Sequence, residues 1–342
     1  MKIAFLFPGQ GAQQVGMGQD LYEAFAAART VFDRAEQISQ LPLKKLCFEG
    51  PQEELSRTDI AQPAIFTVSA AALACLASLM EPDKVEALRP VFMAGLSLGE
   101  YTALFAAGML GFDDAVRLVA RRGQAMQAAA TAVPSGMVSV MGLEEPAARK
   151  LCEAAAGGQV LVCANFNAPG QIVLSGELAA CGRAAELAGE HGASGAIPLK
   201  VAGAFHSAIM APAAEQLRQA IQNVAFCAPR AVGPAGRSDP ARPELAQEFA
   251  GPGVQVVANV DAQPYEGPAS AADKLLAQLT GSVRWQQSME FLLAAGVEQF
   301  YEIGPGRVLA GLMRRINRKA SIASLNSREA IEKLAAVQVA GH

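Results

Sequence analysis

The chain has 342 residues, 51% of them hydrophobic, and carries 28 Lys and Arg against 32 Asp and Glu for a formal net charge of −4. This length gives one large domain with an insertion, or two domains, with ample material for a sizeable core. Mixed, slightly acidic charge excludes the basic face of a nucleic-acid binder, and no apolar run reads as long enough to span a membrane. The first residues, Met1 to Pro8, resemble a signal peptide only superficially, because Pro8-Gly9-Gln10-Gly11 cuts the apolar run short without a cleavage site. Six cysteines (Cys47, Cys75, Cys152, Cys163, Cys181, Cys227) form no C-x-x-C pair, and most sit among apolar residues. They read as reduced core residues of a cytoplasmic protein.

In chain order, Lys2 to Phe7 is a buried strand, Pro8 to Gly18 a glycine-rich loop and Asp20 to Gln37 a helix with apolar spacing. Asp59 to Leu79 is a long, largely apolar helix. Val91 to Ala94 is a strand feeding a sharp turn and a helix from Glu100, and Phe112 to Ala130 is a helix bearing Arg117, Arg121 and Arg122. The rhythm then changes to strand Met137–Met141, helix Glu145–Ala155, strands Val160–Asn165 and Gln171–Ser175, helix Glu177–His191 and strand Gly195–Val201. That β-α-β-β-α-β order is the ferredoxin-like split unit. It predicts an inserted subdomain at 131–201 within a main domain of 1–130 and 202–342. Residues 228–253, rich in Pro and Gly, read as a surface excursion with a short helix from Pro243 to Phe249. Strand Val254–Val260, helices Ala271–Thr280 and Trp285–Ala295, a last core strand Phe300–Ile303 and helix Arg307–Arg315 follow.

Gly95-Leu96-Ser97-Leu98-Gly99 fits G-x-S-x-G in the strand–turn–helix context of a nucleophile elbow. Glycines are needed there because the strained turn leaves no room for side chains, and the following helix aims its amides at a developing anion. The bland alternative is a small-residue turn into a buried helix. A serine nucleophile needs a base, and His342 and His191 fall at the chain end and at the end of a surface helix. His206, in Ala202-Gly203-Ala204-Phe205-His206-Ser207, remains. No convincing acid lies between Ser97 and His206, so the expected arrangement is a dyad with the histidine oriented by a carbonyl or a side-chain amide. The loop Pro8 to Gln13 fits neither phosphate-binding consensus; one of its amides aimed at Ser97 would complete an oxyanion hole with the Leu98 amide. Arg122 reads either as a solvated helix arginine or, if buried, as a bidentate grip on a substrate carboxylate.

Together, Phe7-Pro8-Gly9-Gln10-Gly11-Ala12-Gln13, Gly95 to Glu100, Arg122-Gly123-Gln124-Ala125-Met126, Gly203-Ala204-Phe205-His206, Asn259-Val260-Asp261-Ala262 and Glu302-Ile303-Gly304-Pro305-Gly306 resemble the malonyl-CoA:acyl carrier protein transacylases over nearly the whole chain. The resemblance implies an α/β-hydrolase-like domain with a parallel sheet and an inserted ferredoxin-like domain. It implies that Ser97 takes malonyl from malonyl-CoA as an ester, with His206 as base and then acid, and passes it to the phosphopantetheine thiol of holo acyl carrier protein. The amides of Gln10 and Leu98 would hold the oxyanion, Arg122 the free carboxylate, and Gln278 would position His206. No cofactor or metal is implied, and the expected enzyme is a cytoplasmic monomer serving fatty acid synthesis. In related acyltransferases a Phe at the position of Phe205 goes with malonyl over methylmalonyl, a filter of one methyl worth ~1–3 kcal/mol.

Leu96 stands where many members have His, and the segment 228–253 is longer than usual. Acidic carrier proteins call for a basic patch, and Arg307, Arg314, Arg315, Arg318 and Lys319 are the densest positive cluster. The same residues would serve a free-standing acyltransferase of a polyketide synthase. A thioester hydrolase would leave a buried Arg122 unpaired, and a non-catalytic carrier-binding subunit would have no need of intact Ser97, His206, Arg122 and Gln10.

Overall fold

Ile3–Phe7 (β1) is apolar on both faces, as a strand between two layers must be, and all five residues are buried. The computed structural model describes residues 1–229 and 243–336. Eight further strands are Phe92–Gly95 (β2), Ser135–Met141 (β3), Leu161–Ala168 (β4), Gln171–Glu177 (β5), Gly195–Pro198 (β6), Gln255–Val257 (β7), Gln299–Ile303 (β8) and Ser321–Leu325 (β9). One sheet runs β7-β2-β1-β8-β9 and every neighbouring pair in it is parallel. The other runs β4-β5-β3-β6 and is antiparallel throughout, with helices Glu145–Ala156 and Leu178–Leu187 packed on it. The expected α/β class, a hydrolase-like parallel domain carrying a ferredoxin-like one, is what the chain adopts.

In the parallel sheet the chain steps from β1 to β2 and β7 on one side, then crosses to β8 and β9 on the other. Loops at the carboxyl ends of such strands flank the crevice where ligands bind. The glycine-rich loop follows β1, the Ser97 turn follows β2 and Asn259 follows β7. Behind β8, the Glu302 carboxylate accepts from the amides of Leu309 (2.8 Å) and Ala310 (3.0 Å) and from Ser324 Oγ (3.1 Å). It thereby supplies acceptors to the orphan amides opening helix Val308–Ile316, which gives the Glu302-to-Gly306 motif a structural role.

Several elements differ from the sequence expectation. The helix expected from Asp20 to Gln37 is two helices, Gln19–Ala24 and Ala26–Ser39, broken at an extended Phe25. Arg29 Nη1 donates to the carbonyls of Tyr22 (3.0 Å) and Glu23 (3.1 Å), satisfying groups that the break frees. Outside the core strand Phe300–Ile303 lies a further strand, β9, half-exposed at the sheet edge. Helices Leu43–Phe48, Pro82–Leu88, Ala211–Ile221 and Arg328–Ala336 were not foreseen. Strand β6 ends at Pro198, so Leu199 to Val201 line a pocket instead. Of the segment 228–253, residues 230–242 lie outside the described residues, as does His342; Pro243–Gln247 forms a short 3-10 turn.

One correction concerns the membrane. Helix Thr58–Ser78 is long and apolar enough, by length and composition, to cross a bilayer. Thr58, Asp59, Gln62, Thr67 and Ser69 interrupt its apolar run, which is why the run reads as shorter than the helix. It is the core helix, wholly buried in its apolar window, against helices Ala26–Ser39 and Phe112–Ala132. Where Phe112–Ala132 crosses it, a Cβ on Gly123 would lie 2.8 Å from the Thr58 carbonyl oxygen and 3.0 Å from the Asp59 Cα. Both are main-chain atoms that move only with the helix. Gly123→Ala is therefore expected to cost about 1–3 kcal/mol, read as a lower midpoint in urea unfolding followed by circular dichroism.

Candidate active site

The turn after β2 is built for one side chain. A Cβ on Gly95 would lie 1.9 Å from the Gly99 carbonyl carbon, and one on Gly99 would lie 2.1 Å from the Phe7 carbonyl oxygen. Between them Ser97 sits at φ 52°, ψ −100°, a left-handed conformation that costs a non-glycine residue about 1–3 kcal/mol. Asn259 holds that conformation: its Oδ1 accepts from the Ser97 amide (2.7 Å) and its Nδ2 donates to the Gly95 carbonyl (2.7 Å). The result exposes Ser97 Oγ in a pocket of about 350 Å³ shared by both sheets.

Ser97 Oγ lies 2.8 Å from His206 Nε2, and His206 Nδ1 lies 2.7 Å from the Gln278 main-chain carbonyl. A carbonyl can only accept, so Nδ1 carries the proton and Nε2 is the bare acceptor for the serine hydroxyl. Gln278 thus meets His206 through its backbone, one of the two possibilities open from sequence. His206 is itself at φ 57° in a segment pinned by Ser135 Oγ on the Ala204 amide (3.1 Å) and by Ser175 Oγ on the Phe205 carbonyl (2.6 Å). Burial and the positive charge of Arg122 push its pKa down to about 4, against the Gln278 carbonyl, which favours the protonated ring.

Arg122 is 1% exposed, whereas Arg117 and Arg121 on the same helix are solvated. Its Nη2 donates to Ser97 Oγ (3.0 Å) and to Gln278 Oε1 (2.8 Å), and its Nη1 to Gln62 Oε1 (2.8 Å). The guanidinium also lies over the Tyr101 ring, 5.2 Å from its centroid. These direct hydrogen-bond partners are uncharged, so a positive group faces the nucleophile from a low-dielectric wall. The other end of the Gln278 amide, Nε2, donates to Glu100 Oε2 (2.7 Å) and to the Ser97 carbonyl (2.8 Å). Glu100 is fully buried and also accepts from the Asn259 amide (3.2 Å) and the Tyr265 hydroxyl. Burial raises its carboxyl to about 7, opposed by those donors and by Arg122.

Gln10 is half-buried in the loop after β1, its side chain 3.4 Å from Thr58 Oγ1, and it lines the pocket beside Ser97. Gly9 brings that loop against the elbow, since a Cβ there would lie 2.2 Å from the Leu96 carbonyl oxygen and 3.7 Å from the Leu98 amide nitrogen. Leu98 opens the helix Leu98–Ala106, where the first amides lack helical partners. Phe205 is buried and lines the pocket with Met126, Met137, Val173 and Val201. Asn259, Glu100, Tyr265 and Gln62 are the partners that the sequence reading gave no role. Arg122 did leave a signal, because it falls in the apolar stripe of Ala115, Val119, Met126 and Ala129.

Fold and geometry define the class: an α/β protein with a serine at a strand–turn–helix elbow, paired to a histidine and backed by a buried arginine. Residues 4–326 match the acyl transferase domain family, and the chain belongs to that family. A Bacillus subtilis protein named malonyl CoA-acyl carrier protein transacylase is 41% identical over 332 residues, 97% of this chain and 95% of its own length. The structure of the protein of that name from Coxiella burnetii matches with a TM-score of 0.86 at 35% identity, covering 97% of this chain and 96% of that one. A malonyl-transacylase solved with its holo type II PKS acyl-carrier protein gives 0.83 at 36% identity, covering 98% and 99%.

The depressed His206 pKa fixes the pH dependence of Ser97. Its folded value of about 4 lies below the 6.5 of a free histidine, so the ring stays a neutral base until pH falls through the lower value. Labelling of Ser97 by a fluorophosphonate, followed by mass spectrometry, is expected to hold from pH 8 to pH 6 and to be half lost near about 4. Loss centred near 6.5 would mean a solvated histidine. Over the same window, below 6.5, the unfolded chain takes up a proton that folded His206 refuses, so this group lowers stability as pH falls.

Proposed function

We propose that this protein moves a malonyl group from malonyl-CoA to the phosphopantetheine thiol of holo acyl carrier protein, supplying fatty acid synthesis through an ester on Ser97. Buried Arg122 carries this reading: its guanidinium stands 3.0 Å from Ser97 Oγ with only uncharged hydrogen-bond partners. Malonyl has a single methylene between its carboxylate and its thioester carbonyl. A carboxylate gripped by Arg122 therefore sets the carbonyl carbon beside Ser97 Oγ.

In the first half-reaction His206 Nε2 takes the Ser97 proton while Oγ attacks the thioester carbon. The amides of Gln10 and Leu98 hold the resulting oxyanion. Its collapse breaks the C–S bond, and coenzyme A leaves with the proton from His206. In the second half-reaction the carrier thiol gives its proton to His206, sulfur attacks the ester, and Ser97 departs as leaving group and regains the proton. Gln278 keeps His206 in the required tautomer, and Phe205 crowds the space beside the malonyl α-carbon. The working unit is a catalytic domain of 1–130 and 202–342 with 131–201 inserted. It acts as a monomer in the cytoplasm, a reducing compartment that suits its six unbridged cysteines.

A second reading, supply of a polyketide synthase, draws on the relative solved with a type II PKS carrier and differs only in the carrier. A hydrolase of neutral acyl chains is disfavoured, because such a chain offers the Arg122 guanidinium beside Ser97 no carboxylate to bind.

Brief incubation with equimolar malonyl-, methylmalonyl- and acetyl-CoA is expected to leave one malonyl adduct by intact mass, absent from Ser97→Ala. Arg122→Ala should lose the malonyl adduct rate by roughly tenfold to hundredfold, the range for a hydrogen bond to a charged group. Steady coenzyme A release without an adduct would make the protein a hydrolase. Arg314 and Arg318 line a surface cavity at β9, whereas Arg315 is engaged with Gln171 Oε1 at 2.5 Å. Reversing charge at Arg314 and Arg318 is expected to raise KM for the carrier protein and leave that for malonyl-CoA alone; equal effects on both would refute a docking role.

A further inference from the structure

Cys152, on helix Glu145–Ala156, and Cys163, on β4, bring their Sγ atoms to 3.8 Å, unbridged. Both line a cavity of about 380 Å³ that also reaches Arg149, Thr280, Ser282 and the far side of His206. Arg149 lies in that cavity, paired to Glu145 at 2.5 Å and lying over the Phe166 ring. Contact with the Cys152 thiol, and after it the Arg149 charge, holds the Cys163 thiol below its usual pKa against burial and Glu145, while the same contact and burial push Cys152 up. Both thiols are buried, and what sets them apart from the other core cysteines is the partner thiol in contact, the nearby Arg149 guanidinium and a cavity that reaches them.

Cys163 is also tied to the active site. Its carbonyl accepts from Ser282 Oγ (2.7 Å), the Ala164 carbonyl accepts from the Val283 amide (2.8 Å), and the Val283 carbonyl accepts from the Phe166 amide (2.9 Å). Residues 281–283 continue directly from the helix end whose Gln278 carbonyl seats His206. Pairing of β4 with β5 slips between Cys163 and Asn165, so the strand is already irregular where it would be pulled.

We infer that Cys152 and Cys163 are a peroxide-sensitive dithiol whose closure to a disulfide slows the chemistry at Ser97. The Cys163 thiolate attacks a peroxide oxygen, the O–O bond breaks and hydroxide leaves, which gives a sulfenic acid. Cys152 loses its proton and attacks that sulfur, the S–O bond breaks and a second hydroxide leaves. With the two thiol protons, two thiols and one peroxide become one disulfide and two waters. Bonding draws β4 toward the helix, and the three hydrogen bonds carry the shift to residues 281–283 and the histidine seat.

The test is peroxide treatment of the reduced full chain, read by intact mass, non-reducing peptide mapping and transfer rate. The expected result is loss of two hydrogen masses, a link between the Cys152 and Cys163 peptides, and a transfer rate lower by roughly fivefold or more, since sub-ångström to 1 Å misplacement is costly in catalysis. Dithiothreitol should restore both mass and rate, and Cys152→Ala should keep its rate under peroxide. Oxygen added at Cys227 without the cross-link, a cross-link with unchanged rate, or equal loss in Cys152→Ala would each overturn the inference. The rate arm rests on the transfer reading above. If the reduced protein transfers nothing, that reading fails, and fluorophosphonate labelling of Ser97 supplies the rate for this test.

Discussion

A guanidinium sealed at 1% exposure without a directly bonded carboxylate is the constraint to which the rest of the site answers. Burying a charge costs several kcal/mol unless its surroundings supply compensation. Here compensation comes as uncharged acceptors from Gln62 and Gln278, a ring face from Tyr101, and a buried carboxyl, Glu100, one side-chain amide further away. Gln278 is consequently fully used: its carbonyl orients His206, its Oε1 meets Arg122, and its Nε2 ties Glu100 to the Ser97 backbone. The catalytic pair and the anion-seeking group are held by the same residue, so their spacing is fixed by the fold.

Strain at the elbow answers to the same network. Ser97 at positive φ persists because Asn259 clasps the amide of Ser97 and the carbonyl of Gly95, and Asn259 in turn donates its own amide to Glu100. A residue that stores conformational energy needs neighbours that over-determine it. Those neighbours arrive from the ends of β2 and β7 and from helix Pro268–Thr280, so the serine is presented by segments far apart in the chain.

Much of this was legible in the sequence for local reasons. The glycine spacing around Ser97 announces a turn that admits no side chains, and β1 and β2 announce themselves as continuous apolar runs. The β-α-β-β-α-β rhythm gave the antiparallel sheet, because each of its elements is short and closed by its own turn. His206 was found by elimination among three histidines, and Gln278 only through a resemblance. What escaped is non-local: Glu100, Asn259 and Tyr265 are separated by up to 165 residues from the groups they bond, and no periodicity encodes such pairings. The break at Phe25 escaped because the residues around it keep helical spacing, and only the placement of Arg29 under the freed carbonyls makes the interruption affordable.

The core helix Thr58–Ser78 has a consequence for the order of synthesis. Ala26–Ser39 precedes it, but its longest partner, Phe112–Ala132, and the turn Pro243–Gln247 follow it. At roughly 5–20 residues per second, on the order of several seconds pass between emergence of the first and completion of the second. During that interval the nascent chain displays a segment that bilayers and chaperones would both accept. The polar interruptions at Asp59, Gln62, Thr67 and Ser69 are then more than packing detail. They lower the affinity of an uncovered helix for lipid while it waits for the cover that the later chain provides.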